Sequence, residues 1–292
     1  MARNIFAIAA AAIAAALGLQ VLIVGQSSAD SRAHASDWVE QPYSKVRLVS
    51  GSVDGSQPEQ LAGVHIRLAP GWKTYWSNPG DSGVPPSFDW SGSVNVKEAV
   101  ILYPAPVRFA DGDGTAIGYE DEVVFPVKIT PATPGMPVEL KLNVTFGICK
   151  TLCIPSEATL ALALPAEREL SSTRDSLLLE RFNALVPAPA KDGELPAVSQ
   201  VEARLTGKKP ELIVEAEFPQ SAAGADVFAS APDISISVPR PLGPPKAGKQ
   251  RFSIAFISEE EAGALKGKAL MLTLVWDGGA REAPIVVGGP GS

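Results

Sequence analysis

This 292-residue sequence predicts an all-β protein, because short runs that alternate between apolar and polar residues recur along most of its length. Alternation with a period of two is typical of half-buried strands. The 26 glycines and 26 prolines are spread between these runs, where they favour turns. One stretch with a helical repeat, followed by a proline-rich segment, separates the runs into two groups. The predicted fold is therefore two immunoglobulin-like β-sandwich domains joined by a short helix and a Pro-rich linker.

Residues 1–35 are predicted to be a secretory signal peptide. Arg3 precedes an apolar, alanine-rich stretch over residues 5–24, which is the usual order in such signals. Small residues at 27 and 29 and at 33 and 35 offer two cleavage sites, so we expect the mature chain to begin near Asp30 or Ser36. An uncleaved anchor is the alternative, because about 20 apolar residues can span a bilayer. Both alternatives place the rest of the chain outside the cytoplasm.

The first domain is predicted over residues 36–166. Alternating runs predict strands at 43–49, 61–68, 94–100, 123–129, 138–146 and 159–164. Residues 71–86 are predicted to be a long irregular segment, and they include Trp72, Tyr75 and Trp76. These aromatic side chains are interpreted as a plug at one end of the core. A rim that shields the cysteines or contacts a partner is the functional alternative.

The helix and linker are predicted over residues 167–196, and the second domain over residues 197–292. Apolar residues with a 3.6 repeat favour a helix at 173–185, and prolines follow it. Strands of the second domain are predicted at 199–205, 211–218, 226–229, 234–238, 250–257, 269–276 and 283–287, with a short helix after Ser258. This domain has neither cysteine nor histidine, so its expected role is packing or partner binding.

The composition excludes several classes of function. A net charge of −7 argues against nucleic-acid binding, which requires clustered Lys and Arg. Neither a P-loop nor a G-x-G-x-x-G motif is present, and no cofactor is expected. A Ser-His-Asp hydrolase needs a positioned histidine. The single histidine beyond the leader region is His65, on an alternating run, where a structural histidine is favoured.

The two cysteines of the chain, Cys149 and Cys153, lie between two alternating runs, as expected for a strand–loop–strand junction. Three intervening residues allow the Cβ atoms to approach within disulfide distance. A disulfide that closes so short a loop stabilises a fold by about 2 kcal/mol, against about 4.7 kcal/mol for a hundred-residue loop. This difference favours a redox-active pair. A structural disulfide and a metal site remain alternatives, although zinc prefers four ligands, or three and a water.

Three segments together resemble the N-terminal periplasmic domain of the thiol:disulfide interchange protein DsbD and of its relative ScsB. They are the cysteine hairpin at 146–155, the stretch at 71–86, and the motifs at 103–109, 118–119 and 124–127. The resemblance covers about residues 40–165. It implies a periplasmic thiol–disulfide oxidoreductase whose Cys149–Cys153 pair cycles between dithiol and disulfide, in a family that contributes to cytochrome c biogenesis.

The resemblance also implies partners. In this family the domain takes electrons from a membrane-embedded thiol reductase and passes them to oxidised periplasmic proteins. We expect the reductant to be a separate protein here. The alternative is a non-catalytic periplasmic binding or assembly module whose disulfide is structural.

A loop that folds over the active-site disulfide is a further feature of the family, and it includes an aromatic cap and acidic residues. By this resemblance Phe109 is the candidate cap, Asp111 and Asp113 lie nearby, and Tyr119 lies beside the cysteines. The same acids, with Glu122, imitate a calcium loop, but the sixth position is alanine where an EF-hand requires glycine. A solvated acidic turn is the commonest alternative. No metal is therefore expected.

Overall fold

The computed structural model of this protein describes residues 34–51, 59–111, 114–166, 174–219, 223–231, 234 and 236–288. Asp113 and the predicted signal peptide up to residue 33, with the expected cleavage site at residues 27–29, lie outside the described residues. The described residues belong to one compact unit. None of its helices, within these ranges, is long and apolar enough to cross a membrane.

The N-terminal sandwich spans residues 39–164, whose described parts form eleven strands in two sheets. In chain order these are β1 (Val39–Gln41), β2 (Ser44–Ser50), β3 (Gln60–Leu68), β4 (Lys73–Gly80), β5 (Ser87–Asp89), β6 (Val96–Ile101), β7 (Val107–Asp111), β8 (Gly114–Glu120), β9 (Glu122–Pro131), β10 (Val138–Cys149) and β11 (Cys153–Leu164). The first sheet has the order β1-β2-β3-β9-β6. The second has the order β11-β10-β4-β8-β7, with β5 paired to β10.

The core of this sandwich lies between its two sheets. Strand β10 shows the alternation most clearly: Val138, Leu140, Leu142 and Val144 are buried, and the residues between them are exposed. Strands β3 and β9 are instead buried along most of their length. A strand covered on both faces reads as a continuous apolar run.

Helix α1 (Arg174–Asn183) covers the outer face of the first sheet. Its Leu179 and Phe182 are buried in the core of the N-terminal sandwich. Gly63 of β3 permits this packing, because a Cβ atom there would overlap the side chains of Leu179 and Val124. The connecting helix therefore packs on the N-terminal sandwich through the apolar face of its 3.6 repeat.

The C-terminal sandwich spans residues 188–286, again with two sheets. Within the described residues, its elements are β12 (Ala188–Pro189), β13 (Ala197–Arg204), β14 (Glu211–Glu217), β15 (Asp226–Ser230), β16 (Arg240–Pro241), β17 (Lys249–Ala255), α2 (Glu259–Leu265), β18 (Ala269–Trp276) and β19 (Gly279–Val286). The sheets have the orders β12-β19-β18-β15 and β13-β14-β17-β16. A separate apolar core lies between them. The predicted fold class, two immunoglobulin-like sandwiches joined by a helix and a Pro-rich linker, is confirmed.

Two local predictions are wrong. Residues 71–86, expected to be irregular, include strand β4, which pairs with β10 on one side and β8 on the other. Residues 234–238, expected to be a strand, contribute a single bridge between Ala231 and Ile234 in their described part. The carbonyl of Ile236 instead accepts a hydrogen bond from the side chain of Asn78, 2.8 Å away.

Candidate redox site

The hairpin of β10 and β11 positions the two cysteines. The strands pair without interruption from Val138 opposite Leu164 to Cys149 opposite Cys153. A disulfide joins Cys149 and Cys153 across the last pair. Strand β10 alternates from Val138 to Phe146, and β11 alternates opposite it as far as Leu164. Burial of one face therefore fixes the register, and the cysteines are held at the tip of a long ribbon.

The two cysteines differ in exposure. Cys149 is 4% exposed, whereas Cys153 is exposed. Leu152, in the turn between them, is 66% exposed. A thiolate that approaches from solvent therefore reaches Cys153 first.

A small cluster of apolar side chains covers Cys149. It consists of Tyr75 from β4 and Ala116 from β8, with Phe109 from β7 packed against it. Pairing of β7 with β8 sets Phe109 directly opposite Ala116. The segment 109–115 is thus largely a β-hairpin, where a loop was expected. The structure places Phe109 on the Cys149 side of the disulfide, in the region where the family resemblance expects a cap.

Tyr75 is the aromatic residue whose hydroxyl approaches the disulfide. Its Oη atom lies 3.6 Å from Cys153 Sγ, and the residue is 1% exposed. Burial, with a smaller effect from the negative charge of Asp111, raises the pKa of Tyr75 to about 12. The hydroxyl therefore remains protonated at neutral pH and can donate a hydrogen bond to sulfur. Gly147 makes room for the ring, since a Cβ atom there would press on Tyr75.

Asp111 brings a carboxylate to the same place. Its oxygen and the sulfur atoms of Cys149 and Cys153 all lie within 4.8 Å of one another. The hydroxyl of Ser82 donates a hydrogen bond to Asp111 Oδ2 at 2.5 Å and so fixes the orientation of the carboxylate. A negative charge so close to sulfur disfavours a second negative charge there.

Two lysines lie near the tip, and each has partners other than the sulfur atoms. Lys73, paired opposite Cys149, places its Nζ atom 4.3 Å from the ring centroid of Phe109 and 3.7 Å from Glu120. Lys150 donates a hydrogen bond to the carbonyl of Pro70 at 3.2 Å. The charge of Lys150 is thus drawn toward the backbone of Pro70.

Tyr119 lies elsewhere in the fold. Its hydroxyl donates to the carbonyl of Pro104 at 2.8 Å, and its ring packs edge-on against Phe125 in the main core. Burial raises its pKa well above the ordinary value. The hydroxyl that reaches a cysteine sulfur is that of Tyr75, not that of Tyr119. Asp113, the other acid expected nearby, lies outside the described residues.

The calcium interpretation is not supported by the positions of its acids. Glu122 is bound to His65 Nε2 at 2.9 Å and to Arg67 at 2.7 Å, on the first sheet. Asp111 lies on the second sheet beside the disulfide. Two carboxylates committed to different sheets and partners do not form one calcium loop.

A metal could use the cysteines only after their disulfide is reduced. Among the described residues, Asp111, Cys149 and Cys153 are the group whose ligand atoms are close enough for a shared ion. Closed zinc sites use four protein ligands, and this group supplies three. The arrangement fits thiol chemistry better than structural zinc.

Sequence reasoning undervalued Tyr75 and missed Ser82. The sequence groups Tyr75 with Trp72 and Trp76 as a core plug, with a rim that shields the cysteines as the alternative. The two tryptophans belong to the main core, whereas Tyr75 packs with Cys149. The alternation of strand faces separates Tyr75 from Trp76. This difference between the two side chains follows from strand geometry, and the sequence does not predict a strand at these residues.

Comparison with known proteins agrees with this geometry. Residues 45–165 match the family "Thiol:disulfide interchange protein DsbD, N-terminal". The crystal structure of the N-terminal periplasmic domain of ScsB from Proteus mirabilis superposes with a TM-score of 0.67 and 22% sequence identity. That match covers 87% of this chain and 98% of the other. No curated protein sequence matches this chain significantly.

The fold and the site thus define a tandem immunoglobulin-like protein with a disulfide at the tip of a hairpin. Residues 45–165 match the model of the DsbD N-terminal family, which covers the three resembling segments. The structural match to ScsB, at 22% identity, extends the similarity in fold across both sandwiches. Thiol–disulfide interchange is the general chemistry that this match suggests for residues 45–165.

Proposed function

We propose that this protein exchanges thiols and disulfides with partner proteins in the periplasm, through a Cys149–Cys153 pair that cycles between dithiol and disulfide. The observation that carries the proposal is the unequal exposure of a hairpin-tip disulfide within a domain that matches the DsbD N-terminal family. The partners, as the resemblance implies, are a membrane-embedded thiol reductase as electron donor and oxidised periplasmic proteins as acceptors.

Cys153 is the sulfur that a partner attacks, because Cys149 is covered by Tyr75 and Phe109. The partner thiolate forms a bond with Cys153 Sγ, the Cys149–Cys153 bond breaks, and Cys149 takes the electron pair and then a proton. A second partner thiol attacks the mixed disulfide and releases Cys153. Two electrons and two protons have then entered the pair, and the reverse sequence delivers them to an oxidised protein.

The neighbouring groups favour this sequence at both cysteines. The Tyr75 hydroxyl can donate to Cys153 Sγ at 3.6 Å and stabilises a thiolate there. Asp111 opposes negative charge at both sulfurs, which favours protonation of Cys149 after it leaves. Phe109 protects the buried sulfur from small thiols, while a partner that binds the exposed tip can reach Cys153.

The redox potential of the pair tests this function. The protein is equilibrated in glutathione buffers of graded ratio, and the thiols are trapped by alkylation and counted by mass spectrometry. A potential above about −300 mV is expected, because a carrier must be reduced and reoxidised in its compartment. A potential below that value identifies a structural disulfide and favours the binding-module alternative.

A further inference from the structure

The strand that presents Phe109 to the disulfide also contacts the C-terminal sandwich. Adjacent residues of a strand point to opposite faces of its sheet. Phe109 therefore faces the Tyr75–Ala116–Cys149 cluster, and Arg108, one residue earlier, faces the other way. The guanidinium of Arg108 lies 5.5 Å from the ring centroid of Phe228 in β15.

Arg108 binds Asp226 of β15 through two parallel hydrogen bonds. Its Nε atom donates to Oδ2 at 2.9 Å, and its Nη2 atom donates to Oδ1 at 2.7 Å. About a quarter of each side chain remains exposed, at 24% and 23%. A bidentate pair fixes orientation as well as distance, so it restrains the backbone of β7 more than a single contact would.

A second set of contacts reaches the partner strand of the same hairpin. Asp81 makes two hydrogen bonds to the backbone of Thr115 in β8. The Asp81 backbone N–H donates to the Thr115 carbonyl, and Asp81 Oδ2 accepts from the Thr115 N–H, both at 2.9 Å. Arg240 of β16 donates to the same Oδ2 atom at 3.0 Å. Both strands of the β7–β8 hairpin are thereby connected to the C-terminal sandwich.

Strand β4, which supplies Tyr75, is held from the same side. The side-chain amide of Asn78 donates to the carbonyls of Ala229 and Ile236, at 2.7 and 2.8 Å. The rings of Trp76 and Phe228 pack edge-to-face with centroids 6.0 Å apart. Every element that covers Cys149 is thus anchored on its opposite face by the C-terminal sandwich.

We propose that the C-terminal sandwich holds the β7–β8 hairpin against Cys149, and that Arg108 is the positioning residue of this contact. Breaking the Arg108–Asp226 pair releases Phe109 and Asp111 from the buried sulfur without touching either cysteine. If Cys149 reacts only when the β7–β8 hairpin has moved away from it, its reaction rate rises in proportion to the fraction of molecules in that open state. This inference rests on the proposed role of Phe109 as the cover of Cys149.

The accessibility of Cys149 tests the proposal directly. In the full-length chain with Cys153→Ser, the Cys149 thiol is alkylated with iodoacetamide and the rate is followed by mass spectrometry. Arg108→Ala and Asp226→Ala should each raise the rate at least about threefold, the effect of a partly exposed ion pair. The double variant should react no faster than either single variant, because all three lose the same contact.

Controls separate positioning from general destabilisation. Arg204→Ala removes exposed ion pairs with Glu202 and Glu211 in the other sheet of the C-terminal sandwich, and should leave the rate unchanged. Phe109→Ala removes the cover itself and sets the upper limit of the alkylation rate. If Arg108→Ala does not fold, Arg108→Asp combined with Asp226→Arg restores an ion pair. The exchanged pair should then return a slow rate.

The outcomes distinguish this inference from the proposed function. Unchanged alkylation in Arg108→Ala and Asp226→Ala overturns the positioning role, and so do effects that multiply in the double variant. If Phe109→Ala has no effect either, there is no cover to position, and the inference is also overturned. The alkylation rate reports access to Cys149 whether or not the protein exchanges disulfides, whereas the redox potential reports that function separately.

Discussion

At the scale of single residues, the hydroxyl of Tyr75 is the group best placed to alter the chemistry of Cys153. It lies 3.6 Å from the sulfur and remains protonated, since burial and then the charge of Asp111 raise its pKa to about 12. The ring is confined because Cβ atoms at Gly83 or Gly147 would press on it. A confined donor loses little rotational freedom when it binds a thiolate.

Tyr75→Phe should therefore slow the reaction of Cys153. In a Cys149→Ser background, alkylation of the Cys153 thiol at pH 7 should fall roughly threefold, since a charge-assisted hydrogen bond to the thiolate is lost. The rate is measured with iodoacetamide by mass spectrometry. An equal or faster rate would mean that the hydroxyl does not stabilise the thiolate.

Tyr119→Phe is the matched control for that substitution. It removes a buried hydroxyl of the same kind, which binds the Pro104 carbonyl in the main core. Stability should fall by about 1 kcal/mol, because the carbonyl loses its partner. Reactivity of Cys153 should not change. If it fell as in Tyr75→Phe, the effect would be one of general destabilisation.

At the scale of elements, the β10–β11 hairpin is held by pairing and burial rather than by its disulfide. Strand β10 is buried at alternate positions along the ribbon and contacts β4 and β5 on its other edge. The disulfide closes a loop of sequence separation 4. Closing so short a loop contributes at most about 2 kcal/mol.

Reduction should consequently leave the protein folded. The circular dichroism signal of the β-sheets should persist in dithiothreitol. The free energy of unfolding, measured by urea denaturation, should decrease by no more than about 2 kcal/mol. The Cys149→Ser, Cys153→Ser double variant should behave like the reduced protein. Loss of the β signal on reduction would assign the bond a structural role.

The sequence predicts strands well wherever one face of the strand is buried and the other is exposed to solvent. Strand β18 lies at the predicted residues, and β10 and β11 extend their predicted runs to the cysteines. Strand β4 was missed because Pro79 and Gly80 obscure its pattern, and its pairing with β10 links residues more than 70 positions apart. Local pattern cannot reveal a pairing that only the tertiary fold provides.

The site was predictable to a similar degree. Spacing and isolation identified Cys149 and Cys153, and family resemblance identified Phe109 and Asp111, which the structure brings to the disulfide. Tyr75 required the register of β4 against β10 and β8. The anchoring of the hairpin by Asp226 required contacts between the two sandwiches, for which a single sequence offers no signal.

At the scale of the whole molecule, a partly buried polar network centred on His65 ties the N-terminal sandwich together. Arg47 of β2 binds Asp175 of helix α1, and its Nε atom donates to His65 Nδ1 at 3.3 Å. The Nε2 atom of His65 then donates to Glu122 of β9 at 2.9 Å, and Glu122 also accepts from Arg67. One chain of contacts thus joins three strands of the first sheet to the helix that covers it, which agrees with a structural histidine.

The network makes the stability of the folded protein depend on pH. His65 is fully buried, and burial lowers its pKa from 6.5 to about 4 against the opposing effect of Glu122. A histidine that folds in its neutral form contributes its full stability above the unfolded pKa of 6.5. That contribution is lost as the pH falls from 6.5 toward 4, because the unfolded chain binds the proton more readily. The loss amounts to roughly 3 kcal/mol at pH 4.

Glu122 extends the loss to lower pH. Burial alone would raise its pKa, but hydrogen bonds from Arg67 and His65, together with their charges, lower the pKa below its ordinary value. Its contribution is therefore complete above the unfolded pKa and is lost as the pH falls below it. Between pH 6.5 and 5 the histidine should dominate the pH dependence, since the ordinary pKa values of carboxyl groups lie below this range.

Urea unfolding at pH 7.5, 6.5, 5.5 and 5.0 measures this dependence. The free energy of unfolding should fall by about 2 kcal/mol between pH 7.5 and 5.0. His65→Gln should be less stable at pH 7.5, because Arg47 and Glu122 lose the partner that links them, yet its stability should change much less over the same range. The chain has one other histidine, His34, which both proteins retain. An equal slope in the two proteins would assign the acid sensitivity to His34 or to carboxylates, and would leave His65 as a packing residue alone.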